Sequence, residues 1–139
     1  MSYVSGAETV PEQDILVVFG DAPEKRFLRL LKPGFRHCFV LFPGARAGEW
    51  ICLDPQSHRV RCEVWHYSVL FDPAAFYRGI GHQCVWVPYP GEVAKQVRIG
   101  PFSCVEFVKR LTGISGVGIV TPWQLYRFLV RQERLGIAA

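Results

Sequence analysis

Of the five cysteines in this chain, Cys104 alone stands where a thiol becomes a nucleophile. It lies in Gly100-Pro101-Phe102-Ser103-Cys104-Val105-Glu106-Phe107-Val108-Lys109-Arg110-Leu111-Thr112-Gly113. Ser103 followed three residues later by Glu106 is a capping box, so a helix is predicted to begin at Cys104. Phe102 and Phe107 can close a hydrophobic staple over that start, and Gly113 supplies the stop. A sulfur on the first helical residue meets free backbone N–H groups and the positive end of the helix dipole, and both favour thiolate. Cys104 also falls in line with Phe107, Val108 and Leu111, the stripe that faces a core. A buried cysteine with no partner is merely a small hydrophobe, so the chemistry needs a base.

His37 is the candidate. Three of the four histidines, His58, His66 and His82, fall at strand ends or in connections, where polar residues are ordinary. His37 instead sits inside Phe35-Arg36-His37-Cys38-Phe39-Val40-Leu41-Phe42, on the face expected for Phe35, Phe39 and Leu41. There an imidazole costs desolvation free energy unless a partner binds its N–H. The partner comes from the next strand. If Phe42 faces Glu49 across the turn, antiparallel pairing sets His37 opposite Asp54, with Cβ atoms about 5 Å apart. A two-residue slip would bring Cys52 or Gln56 there instead, and a one-residue slip would turn His37 to the wrong side. Taken singly, His37 fits a satisfied core histidine and Asp54, before Pro55, fits a turn former. Together with a capped cysteine they compose a nucleophile, base and orienting carboxylate.

The elements that must hold these three groups are legible in the chain. Residues 1–13 form a polar lead-in, and 14–139 form one domain with enough apolar residues, 50%, for a real core. Asp14–Phe19 is a continuous apolar run of strand length, consistent with burial on both faces. Asp21 with Glu24 opens a helix carrying Phe27, Leu28, Leu30 and Leu31, which Lys32-Pro33-Gly34 ends. Phe35–Phe42, Glu49–Asp54 and Arg59–Trp65 read as strands, the last alternating cleanly and so half solvated. Asp72-Pro73 caps a short helix to about Tyr77, and Cys84–Val87 is another strand. Gly113–Gly118 lacks a phosphate-loop lysine and is a connector. Thr121-Pro122-Trp123-Gln124 opens a last helix running to about Arg134. The fold class is α+β, with a mostly antiparallel sheet and helices packed on it.

Composition excludes several functions. The formal charge of +4 comes from scattered basic residues, and Arg127, Arg131 and Arg134 form a solvated helix face without the interleaved aromatics of a nucleic-acid surface. No apolar run approaches the ~18 residues of a membrane span, and the N-terminus has no basic and apolar signal pattern. An odd number of cysteines without a CxxC pair argues for reduced thiols in a cytosolic setting and against a disulfide framework. Cys38, Cys52, Cys62 and Cys84 sit singly in apolar strands, which argues against metal, and no cofactor motif is visible.

With the order His37, Asp54, Cys104, the chain resembles the circularly permuted branch of the NlpC/P60 superfamily, whose core is papain-like. That branch includes the lecithin:retinol acyltransferase-like proteins and small bacterial and phage proteins. The likeness covers roughly residues 35–112. It implies a thiol-dependent peptidase or amidase with Cys104 as nucleophile, His37 as base and Asp54 as the orienting residue, acting on a peptide or amide substrate such as cell-wall peptides. A chain without its own export signal would then reach the wall by other means, as a virion-associated protein does. Two features depart from the pattern: Ser103 stands where many members have Asp or Asn, and the third residue is often histidine. The backbone N–H of Cys104 is the natural oxyanion donor. Two other classes fit the same residues: a papain-like module without activity that binds protein partners in a larger assembly, and a lipid acyltransferase or acylhydrolase.

Overall fold

The computed structural model describes residues 13–21, 31–56, 59–90, 103–116 and 118–136. The predicted lead-in apart from Gln13, which opens the first strand, most of the helix expected after Asp21, and the staple residue Phe102 lie outside the described residues. The elements are β1 (Gln13–Gly20), β2 (His37–Pro43), β3 (Glu49–Pro55), β4 (Val60–His66), α1 (Pro73–Gly79), β5 (Gln83–Tyr89), α2 (Cys104–Thr112) and α3 (Pro122–Arg134). The strands form one sheet in the order β4-β3-β2-β1-β5, antiparallel at every junction. The chain is α+β: five antiparallel strands and three helices among the described residues.

The apolar run of β1 explains its place between β2 and β5. Ile15, Leu16, Val17, Val18 and Phe19 are all fully buried, so both faces of this strand need cover. Two clusters provide it. On one face Ile15, Val17 and Phe19 pack with Cys38, Val40, Phe42, Val85 and Val87 beneath Val105 and Val108 of α2 and Leu125 and Leu129 of α3. On the other, Leu16 and Val18 pack with Leu41, Cys52 and Cys84 beneath Ala74 of α1. Burying an aliphatic side chain contributes about 1.5–3 kcal/mol, so this double-sided row is a large part of what holds the sheet together.

Helix ends follow local chemistry. Asp72 accepts from Ala75 N, with Pro73 opening α1, and Thr121 and Gln124 form a complete capping box on α3. On α2 the box is half made. Ser103 Oγ accepts from Glu106 N at 3.1 Å, but the Glu106 carboxylate turns along the helix to Lys109 Nζ (2.9 Å) and Arg110. Lys109, 4% exposed, also donates to Ile119 O and so ties α2 to the segment before α3. Gly113 ends α2 in the left-handed conformation, φ 71°, which suits glycine.

The β2–β3 hairpin differs from the expected register. Gly44 N donates to Glu49 O at 2.7 Å, and Pro43 pairs with Trp50. The strand thus runs through the proline, and Glu49 closes the turn with Gly44 instead of facing Phe42. This is a two-residue slip from the expected pairing. Gly48 makes the turn possible, since its φ is 82° and a Cβ there would lie 2.2 Å from Tyr67 O. The observed pairs run from Pro43↔Trp50 to Val40↔Leu53; continued one step, Phe39 stands opposite Asp54, and His37 is the diagonal neighbour. A second expectation also changes: Phe35 packs with the α2–α3 cluster, whereas Phe39 packs on the α1 side. Residue 36 is a bend before β2 begins, so strand alternation does not extend back to Phe35.

Candidate active site

β2 begins at His37, at the end of the sheet where Gly20 of β1 is its partner. Gly20, lacking a Cβ, makes room for the His82 ring, which lies where a side chain at that position would stand. Despite the slipped register, His37 Nε2 donates to Asp54 Oδ1 at 2.5 Å, both side chains being about one-fifth exposed. A diagonal pair on one face is within reach of side chains as long as these. Asp54 is held further by Gln56, the residue after β3, and feels Arg61, its partner on β4. Burial pushes the Asp54 carboxyl up, but the His37 hydrogen bond and charge and the Arg61 charge outweigh it, so its pKa falls below the ordinary 3.8.

Helix α2 lies on the opposite face of the sheet from α1 and runs along β2. Its first residue, Cys104, packs against the cluster containing Cys38, while Leu111, roughly two turns on, meets the far end of the strand near Phe42. The Cys104 sulfur is within hydrogen-bonding reach of the His37 ring, the Cys38 thiol and the Cys38 backbone N–H. Because Nε2 is engaged by Asp54, the ring nitrogen left for Cys104 is Nδ1. The structure thus brings Cys104, His37 and Asp54 into one chain of contacts.

The electrostatics follow. The Cys38 thiol donates toward the Cys104 sulfur, and although burial opposes charge there, His37 adds a hydrogen bond and a positive charge; the Cys104 pKa drops from 9.0 to about 5. For His37, burial pulls downward, but bonds to Asp54 and Cys104 together prevail and raise it from 6.5 to about 9. Fully buried Cys38 is pushed well above the ordinary thiol value, first by burial and then by its thiolate neighbour, so it keeps its proton and acts as a donor. A thiolate–imidazolium pair at neutral pH is the result, a sulfur ready to attack an electrophilic carbon.

Two contributors escape a reading of the sequence. Cys38 is adjacent to His37, but strand alternation turns it to the other face and hides it from any search for same-face partners. Gln56 was visible only as the product of a register slip. The other histidines with described positions serve elsewhere: His82 Nδ1 bonds Phe19 O, and His66 lies 3.8 Å from Glu49. His58 lies outside the described residues. A cavity of about 560 Å³ lined by Phe42, Leu53, Tyr89 and Leu111 lies over the other half of α2 and does not include Cys104. Among the described residues no three or more His, Cys, Asp or Glu are grouped to hold a metal, and no helix is long and apolar enough to cross a membrane.

Comparison with protein-family models, with curated proteins and with solved structures finds no match to this chain.

Proposed function

We propose that this protein is a thiol-dependent peptidase or amidase working through Cys104, His37 and Asp54 on a papain-like, permuted scaffold. One observation carries the reading: a cysteine on the first residue of a capped helix contacts a histidine whose other nitrogen is bonded to a carboxylate. The chain order, the antiparallel sheet and the helix-borne cysteine support the scaffold. Cell-wall peptides are the substrate class to which the sequence resemblance points.

The resting pair already holds the Cys104 proton on His37. The thiolate attacks the substrate carbonyl carbon; a C–S bond forms and the carbonyl π pair moves to oxygen. The N–H groups of Cys104 and Val105, in the first turn of α2, have no intrahelical acceptor and can receive that oxyanion. Collapse breaks the C–N bond, and the departing amine takes the proton from His37 Nδ1. Neutral His37 then removes a proton from water as it attacks the thioester, releasing the acid and restoring the Cys104 thiolate beside an imidazolium. Throughout, Asp54 fixes the ring through Nε2 and stabilises its charged form.

The test is the rate of iodoacetamide alkylation against pH, with modified residues mapped by mass spectrometry. Cys104 is expected to react with a midpoint near pH 5. Replacing His37 by Ala should move the midpoint up by at least about one unit, which at pH 6 lowers the thiolate fraction from about nine-tenths to about half or less. Alkylation of Cys104 only at the ~8.5 of a free thiol would overturn the proposal.

A further inference from the structure

β4 ends the sheet on one side with no neighbour among the described residues. Its free edge has a definite hydrogen-bonding parity. Gln56 N donates to Arg59 O and Tyr67 N donates to Gly48 O, each at 2.7 Å, at the two ends of the β3–β4 pair. Hydrogen-bonded pairs alternate along an antiparallel ladder, so odd-numbered residues of β4 turn their backbone groups toward β3. Val60, Cys62, Val64 and His66 therefore turn theirs outward. Side chains divide in the same rhythm. Val60, Cys62 and Val64 stand opposite Pro55, Leu53 and Ile51, on the α2 face, while Arg61 and Glu63 stand opposite Asp54 and Cys52, on the α1 face. No helix among the described residues covers the apolar row: Val60 is 40% and Val64 54% exposed, and Cys62 is exposed.

Exposed edge strands usually carry features that oppose pairing. Here the charges would do so in most registers but favour one. We propose that β4 pairs antiparallel with β4 of a second copy of this chain, about a two-fold axis at Cys62, joining two sheets into one. In that register Val60 faces Val64 of the second copy, Arg61 faces its Glu63, and Cys62 faces its own counterpart. Each outward-turned residue meets an outward-turned residue, so the backbone ladder closes. Arg61 and Glu63, bonded at 2.7 Å within one chain, become a four-membered array of alternating sign. One ladder step either way would set Arg61 against Arg61 or Glu63 against Glu63, and directly opposed like charges are destabilising. The sequence Val60-Arg61-Cys62-Glu63-Val64 is thus complementary to itself when reversed, as an isologous interface requires.

A contact of one strand pair is small, so the association is reversible and is read over about 1–500 μM by sedimentation velocity. The wild-type chain is expected to pass from monomer to dimer in that range. Diamide, which oxidises two thiols to a disulfide and is itself reduced to a hydrazide, should link Cys62 to Cys62, because hydrogen-bonded pairs have Cα atoms about 5.5 Å apart, within disulfide range. Cys62→Ser should lose the link and keep the dimer. Arg61→Glu and Glu63→Arg, each checked by circular dichroism, should weaken self-association roughly tenfold or more. Their equimolar mixture should regain it, because the two acidic side chains of the Arg61→Glu strand then face the two basic side chains of the Glu63→Arg strand, although neither chain has its internal ion pair back. Wild-type protein that stays monomeric, a dimer without the Cys62 link, or a mixture that stays monomeric would each overturn the proposal. Mass is the readout because Arg61 lies opposite Asp54 and its variants also perturb the site.

Discussion

At the scale of residues, Cys104 owes its low pKa first to Cys38 and only then to His37. A neutral thiol donor beside a thiolate is a device distinct from the imidazolium, because it stabilises charge without titrating near neutrality. Its removal is separable from loss of the base. Cys38→Ala deletes the S–H donor and leaves only a small cavity in the core. The alkylation midpoint of Cys104 should rise above about 5 yet stay below the ~8.5 of a free thiol, since the imidazolium remains. An unchanged midpoint would reduce Cys38 to packing. The pairing of His37 with Asp54 was legible in the sequence, since an imidazole on an apolar strand needs a partner and the following strand carries one. The part played by Cys38 was not. Alternation turns its side chain away from His37, and only the arrival of α2 from that side at the strand's first residue puts one sulfur against both.

At the scale of elements, α2 is a nine-residue helix that holds Cys104 as its first residue, so the placement of that sulfur depends on a stable helix start. Ser103 supplies the one side-chain cap, because Glu106 is drawn off to Lys109 and Arg110. Ser103→Ala should lower the unfolding free energy by about 1 kcal/mol, measured as a lower urea midpoint at unchanged slope. No change would mean that α2 is held entirely by its tertiary contacts. Helix starts and stops could be read from Ser103, Asp72, Thr121 and Gly113 because a cap is a contact between residues three or four apart. The hairpin register could not be read as safely. Pro43 looked like the first turn residue, whereas it closes β2 by pairing with Trp50. Proline is tolerated at a strand end, and the glycine at 48, forced to positive φ beneath Tyr67 O, sets where the chain reverses.

For the molecule as a whole, the site couples ionisation to folding, and the signs can be worked out. His37 has its folded pKa raised from 6.5 to about 9, so its contribution is fully present below 6.5 and is lost as pH rises through about 9. Cys104 has its folded pKa lowered from 9.0 to about 5, so its contribution is present above 9.0 and is lost as pH falls through about 5. Between 6.5 and 9 the two slopes oppose each other. Between about 5 and 6.5 the thiol acts alone, with Asp54, also lowered, adding the same sign at more acid pH. Urea unfolding of wild type minus Cys104→Ala should therefore show a stability difference that rises from pH 5 to 6.5 and then levels. A difference that falls over that window would contradict the thiolate.

What the amino-acid sequence determined by itself is local: apolar runs long enough to be strands, caps that begin and end helices, and three residue types able to act as nucleophile, base and orienting acid. These follow from hydrogen-bonding capacity and side-chain periodicity over a few residues. Tertiary structure decided that β2 and β3 pair through Gly44 and Glu49, that His37 reaches Asp54 diagonally, and that Cys38 joins the sulfur of Cys104. Those outcomes depend on turn geometry and on where α2 docks, and both are set by contacts between residues far apart in the chain.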